Sequence, residues 1–325
     1  MGSFRPDPNL LKKYPNAVTV PQLQARDRFV GALLGAAVGE ALGAQVEGLD
    51  GAAATAKAPK EIAASAKWAA GESTGGIDLL LAALKSIQAR RKLELDDVAR
   101  SMLRWFGSSP KRVPELLRAS LENLRAGESH EQSGALAWED AGRDAPHNAS
   151  LVWVATPVAL LHVRDTEGLA DDARAFSRVT HYDPRSVGGC IAVATAISQL
   201  VRGEKDAEEA IPRASMAASS ASDEVMMRLE RGAAKKPDQV TVDDARGSVL
   251  ATIELAFSAL ASAATFEEGL TAVVARGGDA DVNGAVAGAL LGAKFGKGQI
   301  PERWMKPVKA SAELASLAEA MQKSL

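Results

Sequence analysis

Along most of the chain, apolar residues recur at three- and four-residue spacing, the period of a helix with one buried face. "DRFVGALLGAAVGEALG" opens this pattern, with Asp27 placed near the helix N-cap. Similar spacing predicts helices over 78–91, 95–106, 113–126, 150–163, 167–178, 184–202, 248–264, 266–275, 283–295 and 309–323. No convincing alternating strand appears: "VTV" at 18–20 and "QVTV" at 239–242 are short and isolated. Residues 203–247 are charged and rich in alanine and serine; they read as a surface excursion with a short helix at 221–231. Residues 1–24, polar and proline-bearing, read as an N-terminal arm before one helical domain over 25–325.

Composition supports helices. Of 325 residues, 46% are hydrophobic but only 4% aromatic, which suits tightly packed helices better than a β-sandwich. The net charge of −3 provides no global basic field, so nucleic acid is not an expected partner. One cysteine, Cys190, excludes a disulfide framework and a cysteine-built zinc site. The N-terminus lacks a signal-peptide core, and the apolar runs at 29–46 and 284–293 are broken by Glu40 or too short to span a bilayer. These features predict a cytoplasmic chain without a membrane segment.

Two of the predicted helices carry glycine at every fourth position: Gly31, Gly35, Gly39 and Gly43 in one, and Gly284, Gly288, Gly292 and Gly296 in the other. An interior helical glycine costs about 1 kcal/mol relative to alanine, so eight of them need a reason. Four-residue spacing puts them on one stripe, where another backbone can approach closely. The two helices are therefore expected to pack together, bringing the loop at 44–48 or that at 25–28 close to 276–282.

The second stripe follows "GGDADVNG", residues 277–284. Asp279 and Asp281, two apart at a helix start, read as ligands for a hard cation such as Mg²⁺, which takes about six oxygens. In isolation the pair reads more readily as helix capping than as a metal site. The surrounding residues resemble the ADP-ribosylglycohydrolase family. "RGGDADVNGAVAGALLGAKFGKGQIPERW" is similar to that family's C-terminal signature, and "DRFVGALLGAAVGEALGAQVEG" to its opening helix. "THYDPRSVGGCIAV" and "HNASLVWVATPVALL" resemble two further segments, in order along the chain. The resemblance implies an all-α fold, a single compact domain of about a dozen helices. It also implies a cleft for ADP-ribose, lined by Asn148 and His181, with Glu47, Thr74, Asp279 and Asp281 around the terminal ribose, glycine-rich backbone around the diphosphate where Gly75 and Gly76 stay permissive, and Gly278 as a further ligand-binding residue.

The departures from the family pattern bear on chemistry. The family's T-D-D-T motif supplies metal ligands; here "ESTGGIDLLLAAL" keeps Thr74 but has Gly75, Gly76 and Ile77 in the next three places. Glu40 stands where the opening helix has aspartate, Ala280 and Val282 replace two threonines, and Trp153 replaces an arginine. Asp78 and Glu72 flank the altered motif and are the only nearby candidates to compensate. No metal is therefore expected, with Asp279 and Asp281 as residual candidates. Those two would repel each other, and Arg276 is the expected cation between them. Trp105 and Trp304 are expected in the core.

Three functions follow from this reading. The first is a protein that binds ADP-ribose, a related nucleotide or an ADP-ribosylated partner with little or no hydrolysis. The second is an active hydrolase cleaving the glycosidic bond at the ribose anomeric carbon, with Glu47 catalytic and Mg²⁺ as cofactor. The third is a non-enzymatic helical scaffold.

Overall fold

The computed structural model describes residues 20–203, 207–242 and 247–324. Most of the expected arm lies outside those residues. The glycine stripes organise the interior. The first helix, α1 (Val20–Gly43), runs antiparallel to a late helix, Ala280–Phe295. A Cβ built on Gly31, Gly35 or Gly39 would lie 2.3, 2.1 or 1.9 Å from the carbonyl oxygen of Gly292, Gly288 or Gly284. No side chain fits at those distances, so the pair closes backbone to backbone as the spacing predicted. Asp27 differs from expectation: α1 begins at Val20, and the Asp27 carboxylate accepts from the Gly298 amide at the far end of the pair.

Sixteen α-helices and no strand occur among the described residues. After α1 come α2 (Gly51–Ala56), α3 (Gly76–Arg90), α4 (Leu95–Gly107), α5 (Glu115–Ala126) and α6 (His130–Asp140). A π-helical stretch, Leu151–Ala155, then runs into α7 (Thr156–Leu161). α8 (Leu169–Arg178) and α9 (Pro184–Arg202) follow. α9 is apolar or small on every side and is buried around its circumference, which marks it as a central helix. The expected surface excursion folds into α10 (Ala207–Ser219) and α11 (Asp223–Ala233), which pack on α9 and on α12 (Val249–Ser262). The chain closes with α13 (Phe266–Val274), α14 (Ala280–Phe295), α15 (Glu302–Met305) and α16 (Ser311–Ser324). "QVTV" forms no strand; it follows a short 3-10 turn at Pro237–Gln239. No helix among the described residues is long and apolar enough to cross a membrane.

Candidate functional site

Antiparallel packing of α1 and α14 sets the end of one beside the start of the other. Of the two loops expected near 276–282, the one at 44–48 meets it: Gly48 donates to the Gly278 carbonyl at 2.8 Å, and Gly278 donates to that of Leu49 at 2.9 Å. Gly277 and Gly278 both adopt positive φ, 69° and 64°, which glycine allows without strain. This turn delivers Glu47 from one side and Asp279 and Asp281 from the other. Ligand oxygens of the three carboxylates lie within 4.8 Å of one another.

Neither aspartate merely caps α14. Asp279 occupies the N-cap position but makes no side-chain cap bond. Its Oδ2 accepts from Asn148 Nδ2 at 2.8 Å and from the Gly247 amide at 3.2 Å. Asn148 also donates to Thr252 Oγ1 (2.9 Å), which donates to Asn283 Oδ1 (2.6 Å), tying the 148 loop to α12 and α14. Asp281 Oδ2 accepts from Thr74 Oγ1 at 2.9 Å, and its Oδ1 from the Val282 amide at 3.0 Å.

The cation among these carboxylates is Arg112, not Arg276. Arg112 Nη1 donates to Glu47 Oε1 at 2.5 Å and to Asp281 Oδ2 at 3.2 Å, and Nη2 lies 3.5 Å from Asp279 Oδ1. Arg276 instead donates to the Val240 carbonyl at 3.0 Å. Arg112 arrives on the loop between α4 and α5, where Ser109 adopts φ 58°. Its neighbour Lys111 pairs with Glu72 at 2.6 Å and lies 5.3 Å above the Trp68 ring. Glu72 is thus committed to Lys111. Asp78 is exposed and accepts from Trp105 Nε1 at 3.3 Å, so neither flanking acid joins the cluster.

The opposite wall holds no carboxylate at 75 or 76. Gly75 adopts φ 115°, and a Cβ there would sit 3.1 Å from the Trp105 ring. Trp105, expected in the core, is half-buried and lines the cleft. A Cβ on Gly76 would sit 2.7 Å from Glu40 Oε1 and 3.0 Å from Val152. Glu40, buried at 3% exposure, accepts from the amides of Thr74 (3.0 Å) and Ile77 (3.1 Å). The longer acid on α1 thus occupies the room that a side chain at 76 would need. Val152 belongs to the π-helical stretch, a local widening often found at functional sites.

Burial shapes the protonation of this site. Burial raises Glu40 to about 7, opposed by its backbone hydrogen bonds. Asp281 is raised to about 7, first by burial and then by Asp279 and Glu47, with Arg112 opposing. His147, beside Asp279 on the cleft wall, is lowered by burial, and His181 behind it is lowered well below its ordinary value. His181 is fully buried against Trp153 and His147, with Nδ1 on Thr180 Oγ1 at 2.9 Å. The 145–148 loop is set by the first turn of α9. Asp183 caps that helix and accepts from the Ala145 amide, and Ser186 exchanges two hydrogen bonds with His147 backbone.

The inner cavity, bounded by Glu40, Thr74, Trp105, Arg112, His147 and Trp153, encloses about 30 Å³. A second cavity of about 190 Å³ lies on the other side of Thr74, Gly75, Trp105 and Arg112. Five buried polar atoms beside the inner cavity or behind its wall lack hydrogen-bond partners: Glu47 Oε2, Asp279 Oδ1, Asn148 Oδ1, Trp153 Nε1 and His181 Nε2. Buried polar atoms are nearly always satisfied, so this concentration marks a place for a polar ligand or water. The glycine amides expected to help cradle a diphosphate are partly engaged: Gly75 donates to Ser73 Oγ and Gly278 to Leu49.

Arg112 was not legible as a site residue, since an arginine in an interhelical loop carries no period or motif. The only signal was the charge requirement of the paired aspartates.

The chain is 26% identical over 293 residues to an ADP-ribosyl-[dinitrogen reductase] glycohydrolase of Rhodospirillum rubrum, covering 88% of this chain and 92% of that one. It is 22% identical to the ADP-ribosylarginine hydrolase Tri1 of Serratia proteamaculans, covering 92% and 80%. A solved structure described as an ADP-ribosylglycohydrolase-related protein complex superposes with a TM-score of 0.77 at 27% identity, covering 93% of this chain and 99% of its own. The family model of the ADP-ribosylglycohydrolases matches residues 21–325, and the chain belongs to that family.

Proposed function

We propose that this chain binds an ADP-ribose-like nucleotide, free or attached to a modified protein, in the cytoplasm and without metal-dependent hydrolysis. The observation that carries the reading is the closed wall at Gly75 and Gly76. A dinuclear Mg²⁺ centre needs about six oxygens per ion and enough carboxylates to balance four positive charges. Three carboxylates converge here, and both Asp281 oxygens and Asp279 Oδ2 already accept hydrogen bonds. The residues present do not fit two ions. The atoms without hydrogen-bond partners at Glu47, Asn148 and Trp153 support a remaining polar ligand site. Gly278 stays with the proposed binding residues through the turn it forms, and His181 through its support of Trp153.

Neither cavity reaches the roughly 300 Å³ lower end of small-molecule sites, so admitting a nucleotide requires the loop carrying Arg112 to shift. Calorimetric titration with ADP-ribose, in Mg²⁺ and again in EDTA, tests the proposal. Equal binding in both is expected. Binding that needs Mg²⁺ overturns it in favour of an active hydrolase, and absence of binding overturns it in favour of a scaffold.

The convergence of Glu47 and Asp281 on one Arg112 nitrogen supports residual hydrolysis as a second reading. Asp281, at about 7, can hold or release a proton near neutral pH beside Glu47. Turnover of ADP-ribosylarginine in EDTA, lost in Asp281→Asn, would establish it.

A further inference from the structure

We infer that the Arg112 guanidinium is the resident cation of the Glu47–Asp279–Asp281 cluster, holding together in this chain the carboxylates that an ion would otherwise hold. The inference rests on the reading that the dinuclear centre is gone.

The three acid side chains are 4%, 5% and 2% exposed. Carboxylates so close and so buried repel one another strongly unless a positive charge lies among them. Arg112 supplies it from a single planar group: one terminal nitrogen reaches Glu47 and Asp281, and the other faces Asp279. Guanidinium is well suited to this task, being planar, always charged and weakly hydrated. Its side chain is 31% exposed, so it approaches from the mouth of the cleft. Arg112 lines both the inner cavity and the outer one, which places the cation where the two adjoin. The loop carrying it is anchored independently by Lys111 on Glu72 and Trp68, so the guanidinium is delivered rather than trapped by chance. Among the described residues, Asp279 Oδ1 has no hydrogen-bond partner and only the Arg112 ion pair at 3.5 Å to offset its charge, so it depends on that guanidinium.

Chemical rescue tests the inference. In Arg112→Ala the melting temperature should fall by several degrees. Guanidinium chloride at about 10 mM, far below the molar range that denatures proteins, should recover much of the loss, while equal NaCl should not. The wild-type melting temperature should ignore both EDTA and millimolar Mg²⁺. An Arg112→Ala variant that guanidinium does not recover overturns the inference, as does a variant no less stable than wild type. Should Arg112→Ala fail to fold, Arg112→Gln retains part of the bulk without the charge and takes the same titrations. Dialysis separates the two levels of the argument. About two Mg²⁺ ions bound per wild-type chain would sink both the reading and the inference. A metal-free wild type whose variant ignores guanidinium would sink the inference alone.

Discussion

In the α1–α14 pair, the room left by a missing side chain is taken by the backbone of the opposite helix. At Gly75 and Gly76 it is taken by side chains from elsewhere: Trp105 over one, Glu40 and Val152 over the other. The first arrangement builds the frame on which Glu47, Asp279 and Asp281 meet. The second leaves the wall facing that frame without a carboxylate at 75 or 76. The same residue type thus lets two backbones close on each other in one region and admits side chains from other elements in the other. What distinguishes them is the atom that fills the void.

The largest effect should come from the helix pair. Gly35→Ala adds a methyl group 2.1 Å from the Gly288 carbonyl oxygen. Helix propensity alone would favour alanine by about 1 kcal/mol. Overpacking against rigid backbone should win, with a net loss of about 3 kcal/mol or more in urea denaturation. Gly107, the last residue of α4, has open space where an alanine Cβ would stand, with no atom within 4 Å, and should tolerate alanine with no loss.

Next comes the filled wall. Gly76→Asp, which returns an acid to the motif, should not restore a metal site, because Glu40 Oε1 occupies the required space. A loss of about 2–3 kcal/mol is expected. Glu40→Ala should relieve it, so the double variant should be more stable than the sum of single losses predicts, by about 1–3 kcal/mol. Urea midpoints of the four proteins decide this. Additive losses would mean that Gly76 is glycine for some reason other than Glu40.

Much of this was legible in the sequence. The family resemblance put Glu47 with Asp279 and Asp281; glycine spacing predicted the helix pair and left either of two loops, 44–48 or 25–28, as the neighbour of 276–282. Helices with a broad apolar stripe, such as α12 and α14, were visible for the same reason. α6 was not, because its buried face is Ser133, Gly134 and Ala137, too small and polar to register as a hydrophobic period. α10 was hidden similarly by buried Ala207, Ala210 and Ala214 and by an internal proline, Pro212. In the site, the resemblance pointed to Gly75 and Gly76 as motif positions without a carboxylate, but not to the side chains that stand beside them. Arg112 and Asp281 lie 169 positions apart, and no local pattern links them.

The acid cluster should also leave a pH signature. Asp281 binds its proton more tightly in the folded chain, at about 7 against an ordinary 3.8. Its favourable contribution is therefore present at low pH and is lost as pH rises from about 4 through 7. Glu40 acts in the same direction, while the lowered values of His147 and His181 remove stability as pH falls below about 6.5. Comparing wild type with Asp281→Asn isolates the first contribution, because the remaining groups are common to both. Between pH 5 and pH 8 the wild type should lose about 2 kcal/mol more than the variant in urea denaturation. Equal slopes would place the proton elsewhere in the cluster.

The smallest expected effect sets Arg276 against Arg112. Both are half-buried arginines near the start of α14, and sequence proximity favoured Arg276 as partner to the aspartates. Its guanidinium donates to the Val240 carbonyl, so Arg276→Ala should cost about 1 kcal/mol, the value of one hydrogen bond to a charged donor at a partly exposed site. The decisive readout is the pH dependence. Removing Arg276 should leave the decline between pH 5 and 8 unchanged, since Arg112 is the cation that opposes the rise of Asp281. Removing Arg112 should push that decline to a higher pH, because a carboxyl without its cation holds its proton longer. If Arg276→Ala shifts the decline and Arg112→Ala does not, the two arginines have exchanged roles. The filled wall would then stand, but its resident cation would have to be sought on the α13–α14 turn.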